Sequence, residues 1–180
     1  MSKPSSIILL CEDRMQASLV YAYLNKCDYK TDRCVIRKVA SEKGKSEGGN
    51  VGWVLEEFKK ELHACRQRHR VVAETLLIVV IDADDFSVDD RRTHLKDKTL
   101  FDATDPLVLL IPRRHIETWI RAATNQPVGE IEDCKRPALG KPEFRTAATT
   151  IHGWARNAPP PGPTCVPSLR SAFPEWRKIG

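Results

Sequence analysis

No apolar run in this sequence approaches the ~20 residues needed to cross a bilayer. The apolar stretch nearest the start, Ile7 to Cys11, is too short for the core of a signal peptide. A cytoplasmic protein without a membrane partner is expected. Of the six cysteines, Cys11, Cys27, Cys34, Cys65, Cys134 and Cys165, no two form a CxxC pair. Free thiols in a reducing compartment follow, and the spacing argues against zinc held by Cys27, Cys34 and histidines. Neither charge dominates: 29 basic against 24 acidic residues leave +5. That excess permits a polyanionic partner without requiring one. Internal repeats are absent, and so is a second apolar segment set, so a single domain is expected.

The apolar residues that are present fall into alternating segments. "SIILLC" (6–11) reads as a buried strand, and "RMQASLVYAYLNKC" has helical spacing through Met15, Leu19 and Tyr23. "RCVIRKVA" (33–40) reads as a second strand. "VGWVLEEFKKELHACRQRH" is the strongest helix, with Val51, Val54, Leu55, Phe58 and Leu62 on one face and Asn50 as its N-cap. "TLLIVVIDADD" and "PLVLLIP" are further strands, separated by a polar segment, "VDDRRTHLKDKTL", expected to be a short helix. "HIETWIRAAT" is one or two helical turns. Apolar strands without polar alternation suit a parallel sheet covered on both faces. The fold class expected is α/β, a mostly parallel, Rossmann-like sheet flanked by helices. Residues 1–125 would form its core. Residues 126–180 would be a loop-rich extension: "FRTAATTIHGWARN" could be helical, "APPPGPTCVP" is a stiff connector, and Leu169, Phe173 and Trp176 would dock the end back on the core.

The segment from Thr75 to Phe86 runs an apolar strand straight into Asp82, Asp84 and Asp85. Like charges brought together cost free energy unless something positive relieves them. Open parallel sheets place their sites beyond the carboxyl ends of their strands. There the first strand delivers Glu12 and Asp13, the third Asp82, Asp84 and Asp85, and the fourth leads to Glu117. If these strands are neighbours, the acids share one rim and suit a hard divalent cation, Mg²⁺ or Mn²⁺. Asp82 and Asp84 would project to one side at strand periodicity, while Asp85 points away and caps the next segment. Other readings stand beside these. Asp82 and Asp84 also fit a turn held by Asx caps. Glu12 also fits the positive end of a helix dipole. Glu117 can pair with Arg113, Arg114 or Arg121 or serve a second ion. The "RRH" cluster, Arg113, Arg114 and His115, can hold a phosphate backbone or be an ordinary basic turn.

"IILLCE" with Glu12, followed by "LLIVVIDAD" with Asp82 and Asp84, resembles the Toprim domain shared by topoisomerases, primases and OLD-type nucleases. "VLLIPRRHIETWI" and "FPEWRK" are similar to small stand-alone Toprim proteins related to the OLD nucleases. The resemblance covers most of the chain to about Ile120 and then, loosely, the last ten residues. It implies phosphodiester chemistry on nucleic acid, DNA ahead of RNA, with Glu12, Asp82 and Asp84 on the metal, Glu117 near a second ion and Lys178 as a catalytic cation. It also implies a role in bacterial antiphage defence beside an ABC-type ATPase, which this chain does not itself contain. A catalytically degenerate module that binds nucleic acid or a partner protein is the rival reading, and a phosphatase of small phosphoesters is a third. Many OLD-like members have Gly after the first Glu and a second Glu four residues on; here those positions hold Asp13 and Gln16, the latter a neutral, weaker ligand. Topoisomerase-like strand transfer would need a tyrosine, but Tyr21, Tyr23 and Tyr29 all lie in or just after the first helix, so hydrolysis is expected.

Overall fold

In the computed structural model, residues 3–43, 49–71, 74–131, 137–157 and 165–180 are described. Four strands, β1 (Ser6–Cys11), β2 (Val35–Val39), β3 (Thr75–Val80) and β4 (Leu107–Leu110), form one all-parallel sheet in the order β2-β1-β3-β4. Every residue of β3 and β4 is buried. That is the mark of a sheet covered on both faces, and it explains the unbroken apolar runs in the sequence.

Period-two alternation divides those strands between two cores. Ile7, Leu9 and Cys11 of β1 join Ile78 and Val80 of β3 on one face. Helices α1 (Arg14–Lys26), α5 (Ile116–Ala123), α6 (Lys141–Arg156), α7 (Pro167–Ser171) and α8 (Phe173–Ile179) supply apolar residues to that same core. Ile8 and Leu10 join Leu77, Val79 and Ile81 on the other face, under α3 (Gly49–Val71) and α4 (Val88–Thr99). The expected three-layer α/β, Rossmann-like arrangement is therefore present.

Local differences from the sequence reading have physical causes. Strand β2 is shorter than expected because Thr31–Cys34 forms a helical turn, α2, before it. Helix α3 begins at Gly49, so Asn50 lies inside the helix and does not cap it. Helix α4 runs for 12 residues, although its buried face holds only Arg91 and Leu95. Ser87, not Asp85, caps it: the Ser87 hydroxyl accepts from the Asp90 N–H at 3.0 Å. Residues 158–164 of the proline-rich connector lie outside the described residues.

The C-terminal segment does dock back, on the core that α1, α5 and α6 also cover and along the β4 edge. Leu169, Phe173 and Trp176 are buried, and the Trp119 indole N–H donates to the Ser168 hydroxyl at 2.8 Å. The Tyr23 and Tyr29 hydroxyls donate to the Trp176 and Ile179 carbonyls. Strand β4 is an edge, and α8 covers it with charge. The Glu175 carboxylate accepts from the Leu109 N–H at 3.2 Å, and the Lys178 ammonium donates to the Leu107 carbonyl at 3.3 Å. Glu175 is itself paired with Lys178 at 2.9 Å and Arg92 at 3.4 Å. Replacing Glu175 by Ala leaves the buried Leu109 N–H without its acceptor, a loss of about 1–3 kcal/mol. A matching drop in the urea midpoint is expected, and a midpoint unchanged by Glu175→Ala would show that α8 does not secure the edge.

Candidate functional site

Chain order and strand order together locate the rim. From β1 the chain passes to β2 on one side, then returns to β3 on the other. The crevice outside the ends of β1 and β3 is thus a topological switch point, where open α/β sheets bind ligands. Cys11 pairs with Val80 in the parallel register. The residues that follow, Glu12 and Ile81-Asp82, must emerge side by side.

They do. Glu12 Oε1 accepts from the Asp82 backbone N–H at 2.7 Å, across 70 residues of sequence. Gln16, fully buried on the first turn of α1, joins both: its Oε1 accepts from the Glu12 N–H at 2.8 Å and its Nε2 donates to Asp82 Oδ1 at 2.9 Å. Asp13 takes no part in this set. It is the N-cap of α1, accepting from the Met15 and Gln16 N–H groups at 2.8 and 2.9 Å, which fixes the turn that aims Gln16 inward.

Asp84 departs from the expected strand geometry. Strand β3 ends at Val80, and Asp84 has a left-handed backbone, φ 53°, in a turn. Its half-exposed carboxylate stands 3.5 Å from the guanidinium of Arg91, which is 4% exposed. Arg91 also donates to the Ala83 carbonyl at 3.2 Å and lies 4.6 Å over the Phe86 ring. A buried arginine set among carbonyl, carboxylate and ring is the cation the sequence reading missed. The available signal was the four-residue spacing of Arg91 and Leu95, which puts an arginine on the inward stripe of an otherwise polar helix.

The remaining candidates are placed as follows. Arg113 donates to the Asp84 and Phe86 carbonyls, both at 2.6 Å, so it clamps the aspartate turn from the β4 side. Arg114 is exposed and donates to the Ile131 carbonyl at 3.3 Å. His115 is the N-cap residue of α5, and Glu117 is buried on its first turn. Among the described residues, no hydrogen bond joins Glu117 to Glu12, Asp82 or Asp84. Lys178 is not brought to the carboxylates: it bonds Leu107 and Glu175 at the opposite end of β4. Of the basic "CRQRHR" run, Arg66 pairs with Asp105 at 2.6 Å, and the side chains of His69 and Arg70 lie outside the described residues.

Burial dominates the electrostatics. It pushes the Glu12 carboxyl from an ordinary 4.5 up to about 7. The Asp82 N–H acts against burial, the Asp84 and Asp13 charges add to it, and Arg91 opposes it. Burial also raises Asp82 well above the usual range, with the Glu12 charge the next cause. Among the described residues no three His, Cys, Asp or Glu side chains stand together as a ready metal-ligating group. In kind the donors nevertheless suit a hard divalent cation. They are all carboxylate, they repel one another, and the hydrogen bonds above commit one oxygen of each of Glu12 and Asp82, leaving one on each. Comparison with protein-family models, curated proteins and solved structures finds no match.

Between pH 4.5 and about 7 the folded chain keeps a proton on Glu12 that the unfolded chain gives up. This one group therefore makes stability fall as pH rises through that window, by up to about 3 kcal/mol, while His152, held below its ordinary value by burial, acts in the opposite sense. Thermal melts are expected to show Tm declining from pH 4.5 to 7. Glu12→Gln, whose amide oxygen still accepts from Asp82, flattens the decline. A decline just as steep in Glu12→Gln as in the parent chain would contradict the burial assigned to Glu12.

Proposed function

We propose that this chain is a metal-dependent nuclease that hydrolyses phosphodiester bonds in nucleic acid. In this reading Glu12, Asp82 and Asp84 hold Mg²⁺ or Mn²⁺, and the enzyme serves bacterial antiphage defence beside an ABC-type ATPase. One observation carries the reading. Glu12 and Asp82, distant in sequence, share a partly buried, hydrogen-bonded pocket at the switch point of a parallel sheet, and both are pushed toward protonation by the loss of solvent there. A divalent cation would displace those protons and supply a polarised phosphate and a water of lowered pKa. The chain's own residues do the rest. Gln16 and the Asp82 N–H orient the Glu12 and Asp82 carboxylates. Arg113 fixes the turn that carries Asp84. Arg114, exposed on the segment after β4, would in this reading meet a phosphate backbone. Lys178, held at the other end of β4, has no part in this version of the site, whereas Glu117, buried on the first turn of α5, keeps the place near a second ion that the resemblance implies.

A second reading is favoured by a specific observation. Gln16 satisfies Asp82, and Arg91 stands beside Asp84, so the acids are partly neutralised by the protein itself. A degenerate module of the same fold, binding nucleic acid or a partner protein without cleavage, would look like this.

Plasmid nicking separates the two. The nuclease reading expects Mn²⁺- or Mg²⁺-dependent nicking, abolished by chelator and reduced about 10²-fold or more by Asp82→Asn or Asp84→Ala, the scale on which losing one electrostatic stabiliser acts. DNA binding that persists in chelator, with plasmid left intact under every metal condition, would favour the second reading. Turnover of a chromogenic phosphate ester with indifference to DNA would replace both by a phosphatase.

A further inference from the structure

A groove of about 700 Å³ lies between α1, β2 and α6, and its lining includes Tyr21, Arg37, Lys141, Phe144 and Arg145. Three of its lining residues are cationic and none is acidic. Arg37 is bonded to Glu42 at 3.0 and 3.1 Å, an acid it shares with Arg14. Lys141 and Arg145 are exposed and form no ion pair among the described residues. The aromatic component is equally specific. The hydroxyls of Tyr23 and Tyr29 are spent on α8 carbonyls, whereas Tyr21 is half-buried at the groove and its hydroxyl makes no hydrogen bond among the described residues. Two cations that form no ion pair among the described residues and a third shared with Glu42, beside a ring held at the surface by a rigid helix, are the two components of single-strand recognition: an electrostatic track for phosphate and a stacking platform for the base.

We propose that this groove seats a nucleotide unit of single-stranded nucleic acid, its phosphate on Lys141, Arg145 and Arg37 and its base against Tyr21. The choice of polymer rests on the nucleic-acid reading above. The groove's position fits that reading, because α1 links the two places. Gln16 is on the carboxylate pocket and Tyr21, five residues on, is about 8 Å further along the axis. A free nucleotide offers the same phosphate and base, so the test distinguishes it.

The experiment is fluorescence anisotropy on the full chain in chelator at low salt, with a labelled oligothymidylate and, separately, a fluorescent mononucleotide. The Lys141→Ala/Arg145→Ala pair is expected to weaken oligonucleotide binding at least tenfold and to make its salt dependence shallower, by roughly 0.7 in log–log slope per phosphate contact removed. Tyr21→Leu is expected to weaken it about fivefold or more. Lys96→Ala/Lys98→Ala, an equal loss of charge on α4 in the opposite layer, is expected to stay within twofold of the parent. Circular dichroism melts establish that each variant is folded. Groove variants that bind like the parent, or a control pair that loses as much, would overturn the proposal, as would a parent chain that binds neither probe. A mononucleotide that competes as well as the oligonucleotide keeps the site and makes a free nucleotide its occupant. Because metal is absent throughout, a chain that binds here but never cleaves counts against the nuclease reading and not against the groove.

Discussion

Two carboxylates pressed together at the mouth of an apolar sheet set the terms for everything around them. The pairing of Cys11 with Val80 is fixed by side chains that must face one core or the other, and a slip of one residue would invert every strand position. That register is what places Glu12 beside Asp82. The apolar cores therefore hold in place an arrangement that the charges alone would disperse. Burial is the main reason Glu12 is pushed up to about 7, with the Asp84 and Asp13 charges adding to it.

The surroundings divide the work of tolerating this. Asp13 caps α1 and so delivers Gln16, whose amide donates to one acid and accepts from the backbone of the other. Arg91 offers its charge from α4, and Arg113 braces the left-handed turn at Asp84 through main-chain carbonyls. A neutral amide and a guanidinium thus occupy roles that a metal centre would give to a carboxylate and an ion. The same residues can be read as a site awaiting a cation or as one already balanced.

The sheet was legible because its strands are buried on both faces and therefore uniformly apolar, a pattern that few alternatives share. The meeting of Glu12 and Asp82 was legible for the same reason: once parallel strands are granted, their ends share a rim. Helix α4 was harder to read. Its polar composition hid a buried stripe of just Arg91 and Leu95, and the cation nearest Asp84 went unnoticed with it. Lys178 was misplaced because nothing in "FPEWRK" says which end of β4 it will reach. That depends on α8 lying along the edge, a matter of tertiary packing. Asp84 left the strand alternation because the strand stops at Val80, and chain ends of strands are where period-two reasoning expires.

The charged seal that α8 places along β4 reaches beyond stability. With the Leu109 donor and the Leu107 acceptor both engaged by α8, that margin is a poor template for an incoming strand. At the other margin, no strand lies beyond β2 among the described residues. A molecule with one closed and one open border can join a second copy through its open side and then has no border left. Assembly by sheet extension would therefore stop at a closed pair and could not grow into a fibre.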